Sequence, residues 1–68
     1  MVNSYTVKIR DDTFYTFSFI PNHVSFGSTG EEAWENHRQY LKENFNLTLS
    51  ITSPIYYNLN EFQNLEEN

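Results

Sequence analysis

Phe26-Gly27-Ser28-Thr29-Gly30-Glu31-Glu32-Ala33-Trp34-Glu35-Asn36-His37 reads as the end of a strand, a turn and the start of a helix. Thr29 is a good N-cap and Glu32 stands three positions on, the spacing of a capping box in which each side chain satisfies a backbone N–H of the first turn. Glu31 and Glu32 also lie where the helix dipole favours negative charge, so three independent signals mark the start. Downstream, Ala33, Trp34, His37, Leu41, Asn44 and Phe45 fall on one stripe with Tyr40 at its border, the period of a helix lying on a sheet. Glu35, Arg38, Gln39, Lys42 and Glu43 take the other side, where Glu35 meets Arg38 or Gln39 at one-turn spacing. The sequence predicts one helix over 30–45, with Asn46 as its stop.

Upstream, residues 5–10 alternate strictly, with Tyr5, Val7 and Ile9 on one face and Thr6, Lys8 and Arg10 on the other, the mark of a half-buried strand. Asp11-Asp12-Thr13 is turn chemistry, and residues 13–20 read as a second strand. A loop of Asp11, Asp12 and Thr13 pairs Ile9 with Tyr15, Val7 with Phe17 and Tyr5 with Phe19. That register gathers all six on one face, whereas a two-residue loop opposes Tyr5 to Ser18. Phe14 and Ile20 then stand on the opposite face as candidates for exposed apolar contact. Pro21-Asn22 breaks the strand, and residues 23–26 suit a short third one.

After the helix, Leu47, Leu49 and Ile51 alternate with polar residues and predict a fourth strand over 47–52 that Ser53-Pro54 ends. Residues 55–59 are a candidate fifth, edge strand, with Pro54 placed where edges tolerate it. Residues 60–68 carry Phe62 and Leu65 at spacing three in an acidic context, and a short docked turn and a frayed end both remain open there. The expected architecture is a single α+β domain over 1–68: a small antiparallel-rich sheet in the order β-β-β-α-β, with one helix packed on one face.

Composition narrows the function. Four basic residues against nine acidic ones give a formal charge of −5, which opposes direct nucleic-acid binding, since counterion release needs Lys and Arg. A basic protein is the better-matched partner. With no cysteine there is neither a disulfide framework nor a thiolate site. No apolar run approaches the ~20 residues of a membrane span and the first residues lack a signal-peptide pattern, so the expected location is the cytoplasm. A chain of 68 residues buries little of its surface, which makes a homodimer or a bound partner a natural remedy.

Tyr5-Thr6-Val7-Lys8-Ile9, then Asp11 and Tyr15, then Pro21, then Gly27-Ser28-Thr29-Gly30-Glu31-Glu32-Ala33-Trp34-Glu35-Asn36 together resemble the N-terminal domain of HicB-type antitoxins over residues 4–45. The glycines usual in that family's first hairpin and its Leu-Pro-Gly-Cys-like turn are absent, and no DNA-binding segment follows the final strand. The resemblance implies a partial RNase H-like fold without that fold's catalytic carboxylates. It also implies a role in covering a small basic RNA-cleaving toxin of the HicA type.

Individual residues add no chemistry of their own. Gly27-Ser28-Thr29-Gly30 resembles a phosphate cradle in spacing, but no Lys follows and Glu31 and Glu32 repel an anion, so it reads as a capped turn. His37 sits in the middle of the apolar stripe and reads as a hydrogen-bonded histidine at the sheet interface; His23 is the only other histidine, too few for a metal. Asp11 and Asp12 are adjacent turn residues rather than an acid–base pair, and no Ser or Thr has a His–Asp arrangement at a readable spacing. No catalytic residue, cofactor or metal is therefore expected.

What remains is surface recognition. Asp11, Asp12, Glu31 and Glu35 suit a basic face, and Phe14 and Tyr56 suit the role of aromatic anchors. The leading expectation is a non-catalytic, stoichiometric inhibitor, antitoxin-like toward a basic ribonuclease toxin. The alternative is a phage- or plasmid-encoded inhibitor of a host defence nuclease or other nucleic-acid enzyme, of the anti-CRISPR or anti-restriction type.

Overall fold

A computed structural model describes residues 1–58. β1 (Tyr5–Arg10), β2 (Thr13–Phe19) and β3 (Asn22–Gly27) form an antiparallel meander, α1 (Gly30–Phe45) crosses it, and β4 (Tyr56–Tyr57) returns to the sheet. The sheet order is β3-β2-β1-β4, with β4 parallel to β1, so the chain is an α+β domain with one helix on a mixed four-stranded sheet. The expectations for residues 59–68 lie outside the described residues. No described helix is long and apolar enough to cross a membrane.

The helix forms where its sequence signals put it. The Thr29 side chain accepts the Glu32 backbone N–H at 3.1 Å, and the Glu32 carboxylate accepts the Ser28 backbone N–H at 3.0 Å, one residue earlier than a standard capping box. At the other end Asn46 is left-handed (φ 55°), and its N–H reaches the Leu41 and Lys42 carbonyls. Thr29→Ala removes the cap acceptor and is expected to destabilise the fold by about 1 kcal/mol, read as a lower urea midpoint with an unchanged slope. The buried stripe is Gly30, Ala33, Trp34, His37 and Leu41; the expected continuation through Asn44 and Phe45 is not buried. The sheet ends before the last helical turn, and the Asn44 side chain instead donates to the Tyr40 carbonyl.

Two strand expectations need correction. The hairpin closes through a two-residue turn at Asp11 and Asp12, and a bulge between Lys8 and Arg10 then brings Tyr5 opposite Phe17 and Val7 opposite Tyr15. The extra residue restores the like-with-like facing that a plain two-residue loop breaks, so the aromatic face survives by a different register. The expected strand over 47–52 is a single parallel bridge, Val2 to Leu49, flanked by Val2 N–H to Thr48 O and Ser50 N–H to Val2 O, each 2.9 Å. Pairing resumes only at Thr6 with Tyr56, so the residues expected as a fifth strand are the fourth. Between these two anchors, β1 and its lead-in advance by fewer residues than the returning chain. The surplus forms the bends at 50–53 ahead of Pro54.

The largest departure is which face the helix covers. α1 packs on the small polar face, over Ser4, Thr6, Thr16, Ser18 and Ser25, all buried. Small hydroxyl residues let the helix come close, and within the sheet Thr6 Oγ1 pairs with Thr16 Oγ1 at 2.8 Å and Ser18 Oγ donates to the Pro21 carbonyl at 2.7 Å, whereas Ser4 Oγ is buried without a hydrogen-bond partner among the described residues. Phe14, expected to be exposed on this side, is half-buried near the helix start, whereas Ile20 is 87% exposed as expected. The main apolar core lies off the sheet centre, where Val2, Trp34, Leu41 and Leu49 pack with Tyr40, Leu47 and Ile51. The opposite sheet face carries the rings of Tyr5, Tyr15, Phe17, Phe19, Phe26 and Tyr57, with successive centroids 5.3–6.0 Å apart. Val7 is wholly buried among them.

Candidate functional site

One end of the sheet collects most of the residues expected to meet a partner. At the hairpin tip, Asp11 forms an exposed ion pair with Lys8 at 3.2 Å, and Thr13 Oγ1 donates to Asp12 Oδ1 at 3.2 Å. Phe14 stands opposite Lys8 on one side and opposite Gly27 on the other. Its ring meets Tyr56 edge to face, with centroids 6.1 Å apart and planes at 72°. Tyr56, on β4, lies over Gly30, the first residue of the helix, so closely that a Cβ there would overlap its ring. Glu31 follows Gly30 and is exposed in the first helical turn.

Asp11, Asp12, Phe14, Tyr56 and Glu31 are therefore linked through direct neighbours at the hairpin and helix-start end. Glu35 stands apart. It is one turn along α1 and is held by Arg38, whose Nε and Nη2 donate to it at 3.2 and 2.9 Å. That hydrogen-bonded guanidinium keeps the Glu35 carboxyl below its usual pKa. With Asp11 tied to Lys8 and Glu32 spent on capping, Asp12 and Glu31 are the two carboxylates at this end that neither a cation nor the helix cap engages among the described residues.

Two participants were not singled out by the sequence. Lys8 places a cation inside an otherwise acidic rim, a fact that only the hairpin register reveals. Gly30 is a seat for Tyr56: no glycine here has positive φ, so what matters is space and not conformational freedom. The available signal was a glycine in a helix start that Thr29 already caps, where Ala would otherwise serve better.

The second polar constellation centres on His37. Its Nε2 lies 3.0 Å from Ser18 Oγ and its Nδ1 3.3 Å from Ser25 Oγ. Ser18 gives its only hydroxyl proton to the Pro21 carbonyl, so it accepts from His37 Nε2–H. His37 Nδ1 then accepts from Ser25, which makes His37 a neutral Nε2–H tautomer. His23 stacks between His37, at 5.5 Å, and Tyr40, at 3.6 Å. Burial first, and His23 second, push the His37 pKa down to about 4. All three hydrogen-bonded side chains are buried, and Ser18's proton is committed elsewhere, so the cluster ties α1 to β2 and β3. Among the described residues no three His, Cys, Asp or Glu side chains group so as to hold a metal ion.

Compared with known proteins, the chain matches no family model, no curated protein and no solved structure.

Proposed function

We propose that this chain is a non-catalytic binding protein of the cytoplasm that inhibits a basic, nucleic-acid-acting protein by covering its working surface. The reading is antitoxin-like: the partner is a small basic RNA-cleaving toxin, held in a fixed ratio and not turned over. What supports it is the convergence of Asp12 and Glu31, both without a cationic partner among the described residues, on the Phe14–Tyr56 pair at one end of the sheet. Such an arrangement supplies what an occluding interface needs: carboxylates that steer a basic surface in, and an aromatic anchor whose desolvation carries most of the binding energy. The overall charge of −5 acts in the same direction at long range.

The test is a set of surface variants that spare the buried layers. A partner recovered by co-purification with the full chain from its native cells is produced separately, and its affinity is measured at two salt concentrations. Asp12→Asn with Glu31→Gln is expected to slow association and flatten the salt dependence. Tyr56→Ala is expected to weaken binding by about 2 kcal/mol, mainly through faster dissociation. Affinity unchanged in both variants, with circular dichroism showing an intact fold, would place the contact elsewhere and defeat this assignment.

A further inference from the structure

A groove of about 340 Å³ runs between α1 and residues 47–52, a volume at the lower end of the roughly 300–1,000 Å³ that small-molecule sites occupy. Its floor is apolar: Trp34 and Leu49 are buried, and Leu47 and Ile51 are half-buried. Its rim is polar and exposed, with Arg38 and Lys42 on the helix side and the hydroxyls of Thr48 and Thr52 on the other. None of these residues belongs to the Phe14–Tyr56 end.

Three observations say what such a groove takes. The first is charge: two of the four basic residues of a chain with net charge −5 stand on this one rim. Lys42 forms no ion pair among the described residues, and Arg38 meets Glu35 through Nε and Nη2, which leaves Nη1 uncommitted. The two are four positions apart on α1, so a single anion reaches both. The second is a missing acceptor. Trp34 is only 6% exposed, yet its Nε1–H has no hydrogen-bond partner among the described residues. A buried N–H left in that state is costly and uncommon in native folds, and a ligand oxygen is what completes it. The third is the wall formed by residues 47–52. It pairs with the N-terminal segment through one bridge, Val2 to Leu49, and bends follow at 50–53, so it opens at less cost than a laddered strand.

We propose that this groove binds a small amphipathic carboxylate, a medium-chain organic acid, with its acid group at Arg38 and Lys42 and its apolar body on the floor beside Trp34. The carboxylate takes charge-assisted hydrogen bonds from Lys42 Nζ and Arg38 Nη1. Arg38 is one turn from Trp34, so as the wall opens the same group offers the indole N–H its acceptor. The apolar body gains by leaving water for Leu47, Leu49 and Ile51.

Trp34 is the only tryptophan, so its indole N–H gives a single reporter in the nuclear magnetic resonance spectrum of the full, isotopically labelled chain. Sodium octanoate is the probe. The expected result is a saturable shift of that resonance, with intermolecular NOEs from the octanoate methylenes to the Leu47 and Ile51 methyls. Replacing octanoate by octan-1-ol, or making the exposed Lys42→Gln change, is expected to weaken binding by about tenfold each, the loss of a charge-assisted contact. No saturable shift with octanoate overturns the proposal. So does octan-1-ol binding as tightly as octanoate, because the groove is then merely apolar. An acidic peptide that moves the resonance where octanoate does not also overturns it, since the occupant is then another protein.

Discussion

Lowering the pH from 7 to 4 is expected to cost the fold roughly 2 to 3 kcal/mol through His37 alone. His37 has a folded-state pKa pushed down from 6.5 to about 4, because burial penalises its charged form and His23 lies close by. Above pH 6.5 the imidazole is neutral folded or unfolded, and the group contributes no pH dependence. Between 6.5 and about 4 the unfolded chain binds a proton that the folded chain refuses, so the equilibrium shifts toward unfolding as pH falls through that window. Below about 4 both states are charged and the loss is complete. Its structural cause is specific: a proton on Nδ1 meets Ser25, which until then was a donor to it, in a layer closed to water.

Carboxylates titrate over part of the same range, so a comparison isolates the histidine. Urea midpoints are measured from pH 7 to pH 4 for the wild type and for His37→Gln, whose amide preserves a donor toward Ser18. The variant is expected to be less stable at pH 7 and to decline less steeply. Parallel decline in the two proteins would show that His37 is protonated without penalty in the fold.

Gly27→Ala is expected to be the most damaging single-methyl change in the chain. A Cβ at Gly27 would lie 2.5 Å from the Ala33 backbone nitrogen, 2.9 Å from the Glu32 carbonyl carbon and 3.0 Å from Ala33 Cα. All three are backbone atoms of the first helical turn, so relief requires moving α1 away from β3. That movement breaks the hydrogen bond from Asn36 Nδ2 to the Phe26 carbonyl, 2.9 Å, and loosens the link from His37 to Ser25. The cost is about 3 kcal/mol or more, a large share of what so small a domain has to lose. Thermal melts followed by circular dichroism should show a fall in Tm of well over ten degrees or no cooperative transition.

Gly30→Ala provides the contrast. There the three atoms nearest the added methyl all belong to the Tyr56 side chain, the far end of an exposed residue that can swing aside. The fold is expected to persist while the Phe14–Tyr56 contact is lost, so the variant separates stability from partner binding. Equal damage from both alanines would mean that Tyr56 is fixed in place and that β4 is held more firmly than its two residues suggest.

The bounds of the helix were legible because every signal for them is local: Thr29, Glu32 and Asn46 act within one turn of themselves. The aromatic face was legible too, since period-two alternation survives any register that preserves parity. What the sequence concealed was which face the helix takes. Tyr5, Phe17 and Phe19 look like core, and Thr6, Thr16 and Ser18 look like surface, yet the hydroxyls lie under α1 and the rings lie opposite. The clue is in the helix, where His37 stands mid-stripe and finds its partners only on a polar face.

The partly wrong fourth strand has a similar origin. Leu47, Leu49 and Ile51 do alternate, but their apolar side serves the cluster around Trp34 while only Leu49 pairs with the N-terminal segment. At the candidate site, the acidic and aromatic residue types could be read directly. Their convergence could not, because it depends on the bulge beyond Lys8 and on β4 returning parallel to β1.

Titration of a fixed amount of partner with increasing amounts of this chain, while the partner's cleavage of RNA is followed, puts the occlusion account at greatest risk. The predicted curve falls linearly to full inhibition at a fixed whole-number ratio and stays there, and Tyr56→Ala moves it to higher concentration and rounds its break. Inhibition at far less than one copy per partner, continuing to grow with time, would show turnover and contradict the account; so would full RNA cleavage in the presence of excess wild-type chain.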